Sequence, residues 1–598
     1  MKTKPDLGFW QLWNLSFGFF GVQIAYALQS AQVSRIFSTI GADPHDLSYF
    51  WILPPLMGLI VQPLIGSASD RTWNRFGRRL PYLIVGAAIA IIVMCFLPNA
   101  GSLGFTVSQA IIFGLIMLMF LDTSINMAMQ PFKMLVGDMV NEKQKGLAYS
   151  IQSFLCNAGS VVGYVAPFIL AWFLADTAPQ GEVPATVTGS FYIGAAILLL
   201  CVIYTFAKVK EMPPHEYAEY HGISEEKEEA GKKENMFKLL VKAPKVFWTV
   251  GLVQFFCWAA FLYMWTYSTD AIAGHAFEAP AMQKVVGINI NGKNHDDKYL
   301  FDGENPVIED GKLAIAGVSA NGQIIEAQSV VVNGDTLVND GEIVYKNGVA
   351  AIAPDSKCAD AGEEININGD IYILDSEATI ASRYSQIAPG SVLTLAHIAA
   401  KDHNTGKYEL EQTKELTVDN LENVSLHYET VLNPATVQYQ SAGNWNGVLL
   451  AIQAIAAVIW AVVLSRFTNR KLAYSLSLII GGLGFISVYF IHSQYMLAVS
   501  YALMGVAWAA MLAMPFTILT NALSGNHIGT YLGLFNCTIC IPQIVAALVG
   551  GSILSIFPLS AAGVPQTVFM LMVSGILLII GSLAVWNIKE TFGSQEQA

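Results

Sequence analysis

The sequence predicts an all-α membrane protein of twelve spanning helices, interrupted once by a β-rich segment. Three observations lead there. Of the 598 residues, 54% are hydrophobic and only 13% are charged, about half the charged share of a typical soluble domain. The apolar residues gather into blocks of about twenty, the length that crosses a bilayer core as a helix. One long stretch, 271–440, breaks that pattern with acidic residues and turn dipeptides.

In chain order the blocks run over 8–30, 47–68, 80–98, 105–136, 147–174, 189–207, 246–268, 443–465, 473–491, 495–521, 529–556 and 565–587. The first follows Lys2 and Lys4 in the manner of a signal peptide, but it is too long and has no small-residue cleavage site, so a retained span is expected. Lys and Arg collect in alternate short connections. Arg71, Arg75, Arg78 and Arg79 lie between spans 2 and 3, Lys143 and Lys145 between 4 and 5, Arg466, Arg470 and Lys471 between 8 and 9, and Lys589 after span 12. The connections between spans 3 and 4, 5 and 6, 9 and 10, and 11 and 12 have none. Basic loops stay on the cytoplasmic side, which places both termini in the cytoplasm and the protein in the cell (inner) membrane. The chain then divides into an N-terminal six-helix half (1–207), a Lys- and Glu-rich cytoplasmic linker (208–245), span 7 (246–270), the insert (271–440), and spans 8–12 with a C-terminal tail (441–598).

The insert holds 25 Asp plus Glu against 10 Lys plus Arg, enough to account for the whole chain's net charge of −13. Asn-Gly recurs at 291–292, 321–322, 333–334, 347–348 and 368–369, between β-branched stretches such as "SVVVNGDTLV". Asn-Gly suits the positive φ angles of two-residue hairpin turns, so an extracytoplasmic β-rich insert of successive hairpins is expected between helices 7 and 8. Its acidic turns lack the regular Asp spacing of a calcium loop, and solubility accounts for them. Seven cysteines show no disulfide or zinc pattern, and Cys537 and Cys540 are expected as small packing residues within a span.

The helical halves echo each other. Span 4 ends in "MQPFKMLVGDM" and span 10 contains "AMPFTILTNAL"; "SDRTWNRFGRR" between spans 2 and 3 has a shorter counterpart, "SRFTNRKLAY", between 8 and 9. Two parallel six-helix repeats with a substrate site between them near the midplane is the architecture of major facilitator transporters.

Ionisable residues within spans are expensive and mark function by default. In "LMFLDTSINMAMQPFKMLVGDM", Asn126 lies about 40° round the helix from Asp122 and Lys133 about 20° round, so the three share one face. Asp122 and Lys133 are about 16 Å apart along the axis, too far to pair directly. A carboxylate in a low-dielectric cavity can bind and release a proton as water access alternates, which makes Asp122 the proton-coupling candidate. The plainer alternative has Asp122 bonding a neighbouring helix and Lys133 marking the cytoplasmic end of span 4. A polyhydroxylated substrate needs amides for its hydroxyls and ring faces for its C–H surface. Gln23, Gln29, Gln62, Gln152, Asn157, Gln254, Asn446 and Asn536 offer the first, Trp258, Trp265 and Trp508 the second, although helix–helix bonding competes for each. Asp270, where span 7 meets the insert, fits helix-end solvation better than a gating or proton-entry role. No Walker loop, nucleophile elbow or HExxH motif is present, so no enzyme, cofactor, metal or nucleic-acid partner is implied.

The stretches "GVQIAYALQ", "GLIVQPLIGSASDRTWNRFGRRLPYLIVGAA", "LDTSINMAMQPFKMLVGDM" and "LFNCTICIPQIVAALVGG" resemble the sucrose/proton symporters, which are major facilitator proteins close to the glycoside-pentoside-hexuronide:cation symporters. The resemblance implies proton coupling at Asp122 and glycoside contact eleven residues later. The family places arginine there; Lys133 keeps the charge without the planar two-pronged donor. It also implies a salt-bridge gate in which Asp70, with Arg71, Arg75, Arg78 and Arg79, links spans 2 and 3 in one state of the cycle. The expected function is import of an α-glucoside, maltose or sucrose, with protons by alternating access in the lipid bilayer. A sodium-coupled symporter, and a non-transporting sensor or scaffold whose insert contacts an external protein, are the alternatives.

Overall fold

The computed structural model of the protein describes residues 4–588, apart from 75, 106, 142, 178, 180, 213–242, 465, 468, 523–534 and the stretches joining the strands between 291 and 423. Twelve long helices are described: α1 Phe9–Thr39, α2 Leu53–Arg71, α3 Leu80–Phe96, α4 Val107–Met139, α5 Lys145–Leu170, α6 Ala185–Lys208, α7 Lys245–His275, α8 Val437–Leu464, α9 Arg470–Phe490, α10 Leu497–Ala522, α11 Cys537–Leu554 and α12 Val568–Val585. A single helical turn, Leu47–Phe50, precedes α2. Local chemistry sets several boundaries. Pro81 sits in the first turn of α3, where its missing N–H costs nothing. Asn469 caps α9 by accepting a hydrogen bond from the Leu472 amide.

By length and composition, ten of these helices, α3 to α12, can cross a bilayer. α1 is too polar for that count, and it also runs past residue 30, where its apolar block ends, to Thr39. Both departures have one cause. Gln23, Gln29, Gln32 and Arg35 are buried inside the bundle, so this helix faces protein more than lipid and needs partners rather than apolar side chains. Helix α7 likewise continues to His275 and α8 opens at Val437, so both reach into the segment 271–440 that the sequence assigns to the insert.

The buried apolar residues form two cores, one drawn mainly from α1–α6 and the other mainly from α7–α12. Within the first, α1 packs on α5 and α6; within the second, α7 and α9 both pack on α12. The halves meet along α5 with α8 and along α2 with α11, two pairings that the internal repeat makes equivalent. Between α7 and α8 the described residues are antiparallel strands, of which Ala281–Ile290 and Val424–Leu432 pair over their length, with a bulge between Val285 and Gly287. The Asn-Gly dipeptides lie outside the described residues. The residues flanking all five, Ile290 and Lys293, Ala320 and Gln323, Val332 and Asp335, Lys346 and Val349, and Ile367 and Asp370, are cross-strand partners.

Candidate functional site

Asp122 lies at the centre of a polar chain crossing three helices of the N-terminal half. Only 3% of it is exposed. Its Oδ1 accepts a hydrogen bond from Gln29 Nε2 on α1 at 3.1 Å, and its Oδ2 accepts one from Asn126 Nδ2, one turn on, at 2.7 Å. Asn126 Oδ1 in turn accepts from Gln62 Nε2 on α2 at 2.7 Å. Both carboxylate oxygens thus face amide donors, an arrangement that satisfies the ionised form. Gln29 Oε1 is buried without a partner. Turning that amide over would present an acceptor to a protonated Asp122, so the chain can serve either protonation state by one side-chain rotation. Tyr26 of α1 and, from the other half, Cys540 of α11 lie within electrostatic range of the same carboxyl.

The C-terminal half contributes an aromatic cluster. The Trp258 ring meets Trp508 edge-on at 5.8 Å and Trp265 at 6.5 Å. Trp51, in the turn before α2, stacks on Trp265 at 6.3 Å and so joins the halves, with its Nε1 donating to Ser34 Oγ on α1. Trp258 Nε1 and Gln254 Oε1 are buried and unpartnered. Buried polar groups of this kind are normally satisfied, and a ligand hydroxyl is one way to satisfy them.

The remaining sequence candidates separate. Gln23 is buried on α1 with Oε1 unpartnered, and Gln254 spends Nε2 on the Met511 carbonyl of α10. Asn157 donates to the Ser153 carbonyl of its own helix, and Asn536 sits at the N-cap just before α11 rather than within the helix on which the sequence places it. Gln152 and Asn446 bond neighbouring helices, through the Phe132 carbonyl and Thr269. The side chain of Lys133 lies outside the described residues, as do Arg75 and the side chains of Asp70 and Arg71. Arg78 and Arg79 both reach Asp138 Oδ2 on α4, at 2.8 and 3.1 Å, and Arg79 also donates to Ser69 on α2. These contacts brace α2, α3 and α4 within one half. Glu211, after α6, accepts from the backbone amides of Arg78, Arg79 and Leu80, capping the start of α3 with a carboxylate where the helix dipole favours one. Gly77, at φ +115°, leaves the room this carboxylate needs.

The largest feature absent from the sequence reading is Arg35. It is 1% exposed and lies on α1 near the end that bears the insert. Its guanidinium donates to Gln440 Oε1 and Asn444 Oδ1 on α8, both at 2.7 Å, to the Gln440 carbonyl at 2.9 Å, and lies 3.5 Å from Asp176 in the connection after α5. Asn444 Nδ2 also donates to Asp176. A second contact between the halves joins the turn before α2 to α11, where Ser48 Oγ accepts from the Gly551 amide. The described hydrogen bonds between the halves all fall toward this face, so the structure is closed there. The signal was present: Gln29, Gln32 and Arg35 recur every three residues along one side of α1, but a reading by apolar blocks ends the span at residue 30, before Gln32 and Arg35.

Outside the spans, Asp43 accepts from the His45 backbone amide at 2.7 Å and meets its Nδ1 at 3.0 Å. The bond to Asp43 raises the His45 pKa against the opposing effect of burial. Burial pushes the Asp43 carboxyl up, but hydrogen bonds from His45 and with Glu429, on the last strand before α8, outweigh it and hold the group well below its usual range. No group of three His, Cys, Asp or Glu is placed to hold a metal among the described residues.

Comparison with known proteins agrees with this geometry. The profile of the "MFS/sugar transport protein" family matches residues 23–287, and that of the "Major Facilitator Superfamily" matches 416–596. The sucrose transport protein SUC4 of Arabidopsis thaliana is 26% identical over 265 residues, 42% of this chain and 52% of that protein. Proton-associated sugar transporter A of Rattus norvegicus is 26% identical over 217 residues, 35% and 28% of the two chains. The chain thus spans about half, or less, of the length of the relatives it matches. Among solved structures, a D-xylose-proton symporter superposes with a TM-score of 0.53 at 12% identity, covering 97% of each chain. The nucleoside transporter NupG does so with a TM-score of 0.52 at 10% identity, covering 97% and 98%. These relatives are transporters rather than enzymes. With its repeated six-helix halves and these two profiles, which match separate parts of it, the chain has the all-helical fold of the major facilitator transporters.

Proposed function

We propose that this protein is a proton-coupled sugar transporter that moves an α-glucoside disaccharide, maltose or sucrose, by alternating access. The observation that carries the reading is the Gln62–Asn126–Asp122–Gln29 chain, a buried carboxylate whose neighbours can follow a change of protonation. Across the bundle, the Trp258, Trp265 and Trp508 rings and the unpartnered Gln254 Oε1 and Trp258 Nε1 supply the ring faces and polar atoms that a glycoside needs. The names of the sucrose transport and proton-associated sugar transporter relatives support the same class.

In this reading Asp122 binds the coupling proton, and Asn126, Gln29 and Gln254 bond the sugar. Lys133, Gln23, Asn157 and Asn536 remain candidates by sequence. The basic connection between α2 and α3 lies in the cytoplasm with both termini, in the cell membrane. The segment between α7 and α8 is then an extracytoplasmic β-rich domain over the entrance, available to an external protein. Arg78 and Arg79, with Asp70, Arg71 and Arg75, brace the cytoplasmic gate.

Uptake of labelled maltose and sucrose into proteoliposomes, with an inward proton gradient, an inward sodium gradient or neither, tests the proposal. Accumulation under the proton gradient alone is expected. Accumulation only under sodium replaces the coupling ion, and binding with no accumulation under either gradient sinks the transport reading.

A further inference from the structure

A second buried carboxylate is left over by the Asp122 site. Asp270 lies on α7, about one and a half turns before that helix ends at His275, with 7% of its surface exposed, so helix-end solvation does not explain it. Tyr439 OH on α8 donates to its Oδ1. Among the described residues no hydrogen bond reaches its Oδ2, and Asp270 lines a cavity of about 250 Å³ on the insert face. The cavity runs between the end of α7, the foot of the paired strands at Ala281 and Leu432, and the 560–568 connection before α12.

We propose that Asp270 is a second proton-binding site, loaded from the insert face through this cavity while the path between the halves is shut on that same face. The closure around Arg35 seals the seam between α1 and α8, whereas this cavity lies wholly within the C-terminal half and its associated strands. A small ion can therefore reach Asp270 when a sugar cannot enter. The lining favours a proton over a metal cation. Besides Asp270 it offers Ser560, Gln566 and Thr567, with His275 and Glu278 at the mouth, which is too few anionic oxygens for a dedicated hard-cation cage.

The charged and titratable surroundings are few. On α7, Tyr267 lies within electrostatic range of Asp270. From α8 comes Tyr439, and from α1 Arg35, which holds the adjacent Gln440. His275, which lines the cavity, meets His492 after α9 in a tilted arrangement with ring centroids 4.1 Å apart; α12 and its preceding connection contribute no ionisable lining group. A proton added at Oδ2 leaves the Tyr439 bond to Oδ1 in place but weakens it, since a neutral acid is the poorer acceptor. Tyr439 adjoins Gln440, so the state of Asp270 bears on the Arg35 closure.

The test is infrared difference spectroscopy of the full chain in sealed proteoliposomes sorted so that the insert, cleavable by protease, faces outward. Outer pH is stepped between about 8 and about 5, a range set to avoid ordinary carboxylates, with the inner pH clamped and no sugar present, so that the outcome stands apart from the transport reading. In an Asp122→Asn background a protonated-carboxyl band should grow on outer acidification, disappear in Asp122→Asn with Asp270→Asn, and shift in frequency in Asp122→Asn with Tyr439→Phe. If Asp270→Asn fails to fold, the Tyr439→Phe shift decides by itself. A band that survives Asp270→Asn, follows inner pH only, or follows sodium at fixed pH overturns the proposal.

Discussion

Asp122 and Arg35 carry opposite charges into the same bundle, and each is held in a different way. Asp122 takes two amide donors and no cation among its described contacts, so its charge can be cancelled by a proton without leaving an orphaned positive group. Asp122→Asn should therefore fold, and should still exchange sugar down its gradient, while concentrative uptake falls by about 5- to 150-fold, the usual range for a lost coupling free energy of about 1–3 kcal/mol. Counterflow and gradient-driven uptake, measured side by side, separate the two. Arg35 cannot discharge, and its donors are spread over Gln440, Asn444 and Asp176. Removing one partner of a buried charged pair costs about 3–5 kcal/mol, and here that cost falls on the closed state. In Arg35→Leu, a Ser30→Cys probe in a cysteine-free background should react with an impermeant maleimide from the insert side at least about tenfold faster. Arg35→Lys, with the charge but without the fork, should fall between.

The elements contribute through their ends. Glu211 caps α3 from outside that helix, and replacing a cap costs about 0.5–2 kcal/mol. Glu211→Ala should lower the thermal midpoint of the purified protein, and Glu211→Gln, which keeps an acceptor, should lower it less. The 43–48 connection is held between α11 and the strand carrying Glu429. His45 has a raised pKa, so its contribution is complete below its unfolded value and is lost as pH rises through the folded one; Asp43, with a lowered pKa, contributes above its unfolded value and loses this only in strong acid. Hydrogen exchange across 43–48 should be slowest in mild acid and speed up as pH passes above the His45 transition, after correction for the intrinsic pH dependence of exchange. His45→Asn should flatten that profile. Arg35, Trp51 and Glu211 all went unread in the sequence because they lie at or just beyond the ends of apolar blocks, where hydropathy marks the boundary but not the packing.

Across the whole molecule, closure on the insert face depends on how nearly two backbones can approach. Gly447 of α8 lies against the Tyr164 carbonyl of α5, and Gly551 of α11 against the His45 carbonyl, close approaches that small residues permit between helices. A side chain at either position has nowhere to go. Gly447→Leu should hold the halves apart on this face. The expected result is a longer distance between spin labels at Val437 and Trp172 in the variant than in the parent, with transport reduced. An unchanged distance distribution would show that the α5 and α8 contact does not limit closure.

The sequence by itself determined the class of the protein, its helical repeat, the alternation of basic loops and the shared face of Asp122 and Asn126, because each follows from local composition or from a helical period. Which amides would meet Asp122, and which would be spent on neighbouring helices as Gln152 and Asn446 are, depended on how helices distant in sequence turn toward one another. The tertiary structure alone decided that Arg35 would be buried across the seam and that Asp270 would face a cavity rather than solvent. A buried charge is tolerated only where partners converge on it, and the partners of Arg35 stand more than four hundred residues away at Gln440 and Asn444.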